Sequence, residues 1–336
     1  MKKIKPTILS EFSVGFTGLP TAHRSPSANR RLSVAKLAAG WVFPALLCLP
    51  LSLESQEKKT KPLTPEQFRA IPEDLAPPAL IAGKPSPGKR VRRQLPSYSG
   101  SDVFHSVYLP EDYVRSGPPH PVIFEYAGNG PYQNRLGDRC TGRVEDCNMG
   151  FGISGGKNFI WVVIPFVSKD GQSNQRQWWG DVDASANYCR SLVKSILEEF
   201  NADPDRLVLC GFSRGSIACN YIGLHDDRTA SLWAAMICHS HYDGVRRWSY
   251  EGSDEKSAIR RLKRLGQVPQ LVTQERSTDA IRDFIRRSGV PVRLTCIDLP
   301  FQNHTDRWLL KDLPERKQLR DWLALQLKDP QGPGKR

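Results

Sequence analysis

A serine stands between two glycines, each two places away, in Gly211-Phe212-Ser213-Arg214-Gly215. A hydroxyl is a weak nucleophile until a neighbour takes its proton, so the pentapeptide matters only if the fold presents the serine to a base. The residues before it, RLVLCG, are apolar and β-like. Those after it, RGSIACNYIGL, include the small and apolar side chains of a packed helix. A strand that turns sharply into a helix on a serine holds that residue in a strained backbone and lifts its Oγ clear of the sheet. Glycines at 211 and 215 fit that reading, because side chains there would strike the neighbouring strand or helix. The helix also directs its N-terminus at the hydroxyl, which favours negative charge developing there. Ser213 is therefore the candidate nucleophile.

The elements that must position it are legible as an alternation. VFHSVYLP (103–110) alternates like a strand, and Pro110 closes it. PVIFEYAG (121–128) and FIWVVIPFVS (159–168) are nearly continuous apolar runs, the pattern of central parallel strands covered on both faces by helices. Residues 183–203 read as a helix, with Leu192, Ile196 and Phe200 at four-residue spacing. Three further strands follow the nucleophile, in LWAAMICHS, VPQLVTQE and VRLTCIDLP. A helix ended by Gly289 lies between the last two. The tail from 306 to 329 is helical, in two pieces divided at Pro314. Such a chain predicts an α/β fold with a mostly parallel central sheet and helices on both faces.

These motifs resemble the α/β-hydrolases, in particular secreted esterases of the polyhydroxyalkanoate-depolymerase and feruloyl-esterase kind. The residues that carry the resemblance are NADPDRLVLCGFSRGS, VYLPEDY and PVIFEYAGNG, and it spans about 104–327. It implies a Ser-His-acid triad and an acyl-enzyme, with no cofactor. The third strand of that family ends in a loop that donates oxyanion N–H groups. Here AGNG takes that place, with Ala127 where a histidine is usual. Gly128 or Asn129 would donate from the backbone, and Arg214, beside the nucleophile, would supply the second N–H.

Four histidines follow Ser213. His225 falls too far along the helix to reach back. His239 and His241 end a strand and border the pocket. His304, in LPFQNHTDRW, follows the last strand, where the resemblance places the base. The acid is expected after VPQLVTQE, but the usual Gly-x-x-Asp is missing and TQERSTD stands there. Asp279 is the nearest aspartate and would equally serve as a helix cap. Asp243 in HSHYDG is an equal candidate, and Glu275 is a third. Trp178 and Trp179 lie on the carboxyl-end face, where ligands bind in open α/β sheets. There they would form a stacking platform for a sugar or aromatic group, or simply pack against the next helix.

Composition bounds the rest. Of a net charge of +13, residues 1–55 carry +5, with seven Lys/Arg against two Asp/Glu, and the remainder carries only +8. No Lys/Arg run interleaved with aromatics is present, so nucleic acid is not an expected partner. RRLSVAK, the apolar run 37–53 and polar ESQEKKTK follow the order of a secretory leader. The expected location is secreted or periplasmic, with membrane attachment only through an uncleaved leader. Residues 56–97 are rich in Pro and Lys and read as a linker, which leaves 98–330 as the catalytic domain. Cys140 and Cys147, in CTGRVEDC, are close enough in sequence for a disulfide that would stiffen the insert at 131–158. The other cysteines after the leader lie in apolar stretches and read as free core thiols. No CxxC pair and no HExxH occurs, so no metal site is expected. The resulting expectation is a serine esterase acting on a small-molecule or polysaccharide ester. A prolyl-oligopeptidase-like peptidase and a non-catalytic binding module are its rivals.

Overall fold

The computed structural model describes residues 61–328. Helix α1 (Pro65–Ala70) opens them with Pro at its first turn. Thr64 caps it, its hydroxyl accepting from the Gln67 N–H while the Gln67 side chain accepts from the Thr64 N–H. Strands β1 (Leu80–Ile81), β2 (Arg90–Arg93), β3 (His105–Tyr108) and β4 (His120–Tyr126) follow. The insert then folds as a small hairpin, β5 (Tyr132–Gln133) and β6 (Arg139–Cys140), and helix α2 (Met149–Ser154). Strand β7 (Ile160–Ile164), helix α3 (Val182–Glu199) and strand β8 (Ala202–Phe212) lead to α4 (Arg214–Tyr221) and the single turn α5 (Asp227–Ala230). Strand β9 (Ala235–His239), α6 (Glu255–Leu262), β10 (Gln270–Glu275), α7 (Asp279–Ser288), β11 (Leu294–Leu299) and α8 (Pro314–Lys328) complete the chain.

The helices begin and end where their sequences dictate. Asp181 caps α3 by accepting from the Ala184 N–H, and Asp254 caps α6 by accepting from that of Ser257. Gly289 ends α7 at φ 65, a left-handed conformation that glycine adopts without a side-chain clash.

Nine strands form one sheet in the order β1-β2-β3-β7-β4-β8-β9-β10-β11. All neighbours are parallel except that β3 runs against both β2 and β7. This is the α/β-hydrolase arrangement. Side-chain alternation along the central strands feeds two cores. Val122, Phe124 and Tyr126 of β4 join Leu207 and Leu209 of β8 in the core beneath α3, α4, α6 and α7. Ile123 and Ala127 join Val208, Cys210 and Phe212 in the core beneath α1, α2 and α8. The continuous apolar character of these strands is thus the signature of burial on both faces.

Two sequence-based expectations need correction. The Pro/Lys-rich segment 56–97 is not a tether from residue 61 onward. Phe68 of α1 packs on Phe301 with ring centroids 4.2 Å apart, and β2 pairs along its length with β3. Asp74 and Glu73 hold Arg316 and Arg307 near the other end of the chain. The apolar residues of this segment are spaced among prolines and serve strands of two and four residues, too short to show a period. Second, Cys140 and Cys147 are free thiols. The insert is instead held by hydrogen bonds: the Asn134 amide donates to Asp138 (2.8 Å), and the Thr141 hydroxyl donates to Asp146 (2.5 Å). The leader-like residues lie outside the described ones. Among the described residues no helix is long and apolar enough to cross a membrane.

Candidate active site

Ser213 sits at the junction of β8 and α4 with φ 54 and ψ −112, a conformation that costs a non-glycine residue about 1–3 kcal/mol. The flanking glycines make the bend possible. A Cβ on Gly211 would lie 2.2 Å from the Gly215 carbonyl carbon, and one on Gly215 would lie 2.0 Å from the Tyr126 carbonyl oxygen. The Ser213 hydroxyl makes no capping bond to α4, so it is free to face elsewhere.

It faces His304. Ser213 Oγ lies 3.0 Å from His304 Nε2. His304 Nδ1 in turn lies 3.0 Å from Glu275 Oε1. The histidine sits on the segment between β11 and the 3-10 turn Asp306–Leu310, with its side chain 18% exposed. Its backbone N–H donates to Asp138 Oδ2 (2.9 Å), and the neighbouring Asn303 amide donates to Asp138 Oδ1 (2.8 Å). Asp138 belongs to the insert, so the hairpin β5–β6 holds the histidine segment in place. Phe212 packs beneath the His304 ring at 4.8 Å.

Glu275, the last residue of β10, is the acid that meets the imidazole. Neither Asp279 nor Asp243 does. Asp279 is exposed in the first turn of α7, where its N–H donates to Ser277 Oγ. Asp243 is fully buried and forms a two-bond ion pair with Arg261 at 2.8 and 3.0 Å. Burial acts to raise the carboxyl pKa of Glu275. The hydrogen bond from His304, the nearby His239 and His304 imidazoles and the hydrogen bond from Ser240 outweigh it and hold that pKa down at about 2. The carboxylate therefore stays ionised, as an acid that must steady an imidazolium requires.

The other histidines take structural places. His239 is wholly buried, bonded to Thr273 Oγ1 (2.9 Å) and the Thr305 carbonyl (3.0 Å), and burial lowers its pKa. His241 lies 5.0 Å from the His304 ring; burial and then His304 push its pKa down to about 4, which keeps it neutral. His225 pairs with Asp183 at 3.1 Å.

The loop after β4 brings further donors. Among the described residues no hydrogen bond uses the N–H of Gly128, Asn129 or Arg214. Asn129 turns its side-chain carbonyl to the Trp178 N–H (2.8 Å). The Arg214 guanidinium is buried behind this loop, stacked 4.1 Å over Phe166. It donates to the carbonyls of Trp178 (2.7 Å), Gln175 and Ala127 (both 3.4 Å). Burial without a carboxylate partner lowers its pKa to about 9. Arg214 therefore ties three backbone segments together around the donors.

Trp179 is 4% exposed and stacks on Tyr221 at 4.7 Å, so it packs against α4 rather than offering a platform. Trp178 is half-buried and joins Trp248 (5.3 Å) and Tyr250 (5.1 Å). Trp248 meets the ring of His241 at 5.3 Å. Tyr132, exposed on the insert, meets His304 edge-on at 5.3 Å. A cleft of about 850 Å³ opens beside the donor loop, lined among others by Gly128, Phe212, Asp138, Arg139, Arg143 and Thr305. Sequence reasoning missed Asp138, Ser240, Tyr132 and Trp248. They lie in segments too short to show a period, and Tyr132, Asp138 and Ser240 stand in stretches already expected to border the pocket. No group of His, Cys, Asp and Glu suited to a metal ion occurs among the described residues.

No family model and no curated protein matches the chain. Solved structures do. The chain is similar to a thermostable esterase at 12% identity and a TM-score of 0.46, over 70% of this chain and 62% of that one. It is similar to an S-formylglutathione hydrolase from Agrobacterium tumefaciens at 13% identity and 0.46, over 71% and 94%. It is also similar to fungal esterases from Rhizomucor miehei at 10% identity and 0.48, over 72% and 85%. The chain thus spans about three fifths of the thermostable esterase. Likenesses at these scores add nothing to what the strand order and the side-chain distances give.

Proposed function

We propose that this chain is a serine hydrolase of carboxylic esters. The observation that carries the reading is the run Ser213 Oγ–His304 Nε2–His304 Nδ1–Glu275 Oε1, with both gaps at 3.0 Å and the serine at a strained strand-to-helix bend. In this reading His304 Nε2 takes the Ser213 proton as Oγ attacks the ester carbonyl. Negative charge moves to the carbonyl oxygen, which the N–H groups of Arg214 and of Gly128 or Asn129 stabilise. Collapse breaks the bond to the alkoxy oxygen, and His304 returns its proton to the departing alcohol. Water then adds to the acyl-enzyme with His304 again as base, releasing the acid and Ser213. Glu275 holds the ring in the tautomer that leaves Nε2 free to accept.

The aromatic rings of Tyr132, Trp248 and Trp178, gathered around His304 and His241, support a ring-bearing substrate such as a carbohydrate-linked ester. The basic, apolar, polar order of residues 30–61 supports export as part of the same reading. Hydrolysis of a short aryl ester by the wild type and Ser213→Ala tests it. The expected loss is at least roughly a thousandfold. Equal rates would defeat the mechanism. An ester panel set beside dipeptidyl amides separates an esterase from a peptidase.

A further inference from the structure

Ser240 follows the last residue of β9 and is completely buried, with φ 61. That is a left-handed backbone for which glycine is the natural residue, so a serine there is held under strain. Its N–H donates to the Thr273 carbonyl (2.9 Å), a bond any residue would make. What only a serine supplies is the hydroxyl. Ser240 Oγ lies 2.5 Å from Glu275 Oε1 and 2.7 Å from His304 Nδ1. The three atoms close a triangle, because Nδ1 and Oε1 are themselves 3.0 Å apart.

The donor and acceptor inventory fixes the directions. An ionised carboxylate only accepts, so the single hydroxyl proton goes to Glu275 Oε1. The Ser240 oxygen then presents a lone pair to Nδ1–H. With two acceptors around Nδ1, the proton of the neutral ring stays on Nδ1, and Nε2 is left to accept from Ser213. We propose that Ser240 is a fourth, positioning member of the catalytic array, which fixes the tautomer and tilt of His304 through its own oxygen and through Glu275. It touches no substrate atom and transfers no proton, and the inference rests on the hydrolase reading above.

Ser240→Gly tests this in a protein that still folds, since the backbone angle suits glycine and the relieved strain offsets the lost hydrogen bond to Glu275. The expected result is cooperative unfolding with a melting temperature close to that of wild type. The kcat on a short aryl ester falls about tenfold, with KM within twofold. A merely structural serine would not give that split. Ser240→Ala keeps the Cβ and should show the same loss of kcat. In a double-mutant cycle with Glu275→Gln, the double variant should be no worse than Glu275→Gln alone by more than about twofold, because the two groups act through one ring. A kcat within twofold of wild type in both Ser240 variants overturns the proposal. So do losses that multiply in the cycle, or loss of the fold in both variants. A wild type inert to esters and to a fluorophosphonate would instead sink the hydrolase reading and this inference with it. An active wild type with unaffected Ser240 variants sinks this inference alone.

Discussion

Burial and hydrogen bonding act on Glu275 in opposite directions, and the balance has a sign that can be checked. Its folded pKa, about 2, lies below the ordinary 4.5. The carboxylate therefore stabilises the fold fully above about pH 4.5, and that contribution is lost as pH falls through 2. The difference of about two and a half units corresponds to roughly 3 kcal/mol. Urea unfolding of wild type and Glu275→Gln should show a stability gap that is level above pH 5 and shrinks steadily below 4.5. A gap that does not change with pH would contradict the assignment. At neutral pH, Glu275→Gln should lower kcat by about a hundredfold or more, while Asp279→Asn leaves it unchanged. Asp243→Asn should instead cost about 3–5 kcal/mol of stability, because Arg261 would keep a buried charge without its partner. The meeting of Ser213 and His304 was readable from the chain because their surroundings are distinctive: a glycine-flanked turn, and a histidine beyond the last strand. Glu275, the third candidate in the sequence, stood behind the loop aspartates because those match the residue type usual for the acid. A glutamate is one methylene longer, so it reaches the imidazole from the end of the strand itself.

At the scale of elements, the site depends on two junctions. The β8–α4 bend tolerates no side chain at 211 or 215, so Gly215→Ala should destabilise the protein by at least about 2 kcal/mol or abolish soluble expression. The insert hairpin β5–β6 acts at a distance, through Asp138 and the His304 segment. Asp138→Ala should reduce kcat about tenfold with little change in far-ultraviolet circular dichroism. Unchanged kcat would show that the segment is held by other contacts. The long strands were legible because two-sided burial demands continuous apolar runs. The insert was not, since its strands of two residues and helix of six carry no period, and hydrogen bonds do the work expected of a disulfide. The Trp178-Trp179 pair shows the same limit: aromatic type alone does not say which face it serves, and Trp179 went to the core.

At the scale of the whole molecule, the sheet is finished by residues that read as a linker. Phe68 packs on Phe301, Val91 joins the core beneath α3, and the ion pairs of Glu73 and Asp74 bind the segment to the turn Asp306–Leu310 and to α8. A chain begun at residue 98 would lose β2 and expose the apolar surface it covers. It should fail to unfold cooperatively in urea, whereas a chain begun at 58 should unfold as one unit. The proposed chemistry rests on the Ser213 hydroxyl, and covalent labelling reads it most directly. The folded protein should react with one equivalent of a fluorophosphonate. Peptide mass mapping should place the adduct on Ser213, and Ser213→Ala should abolish it. Folded wild-type protein that stays unlabelled, or carries the adduct on another residue, would contradict the account.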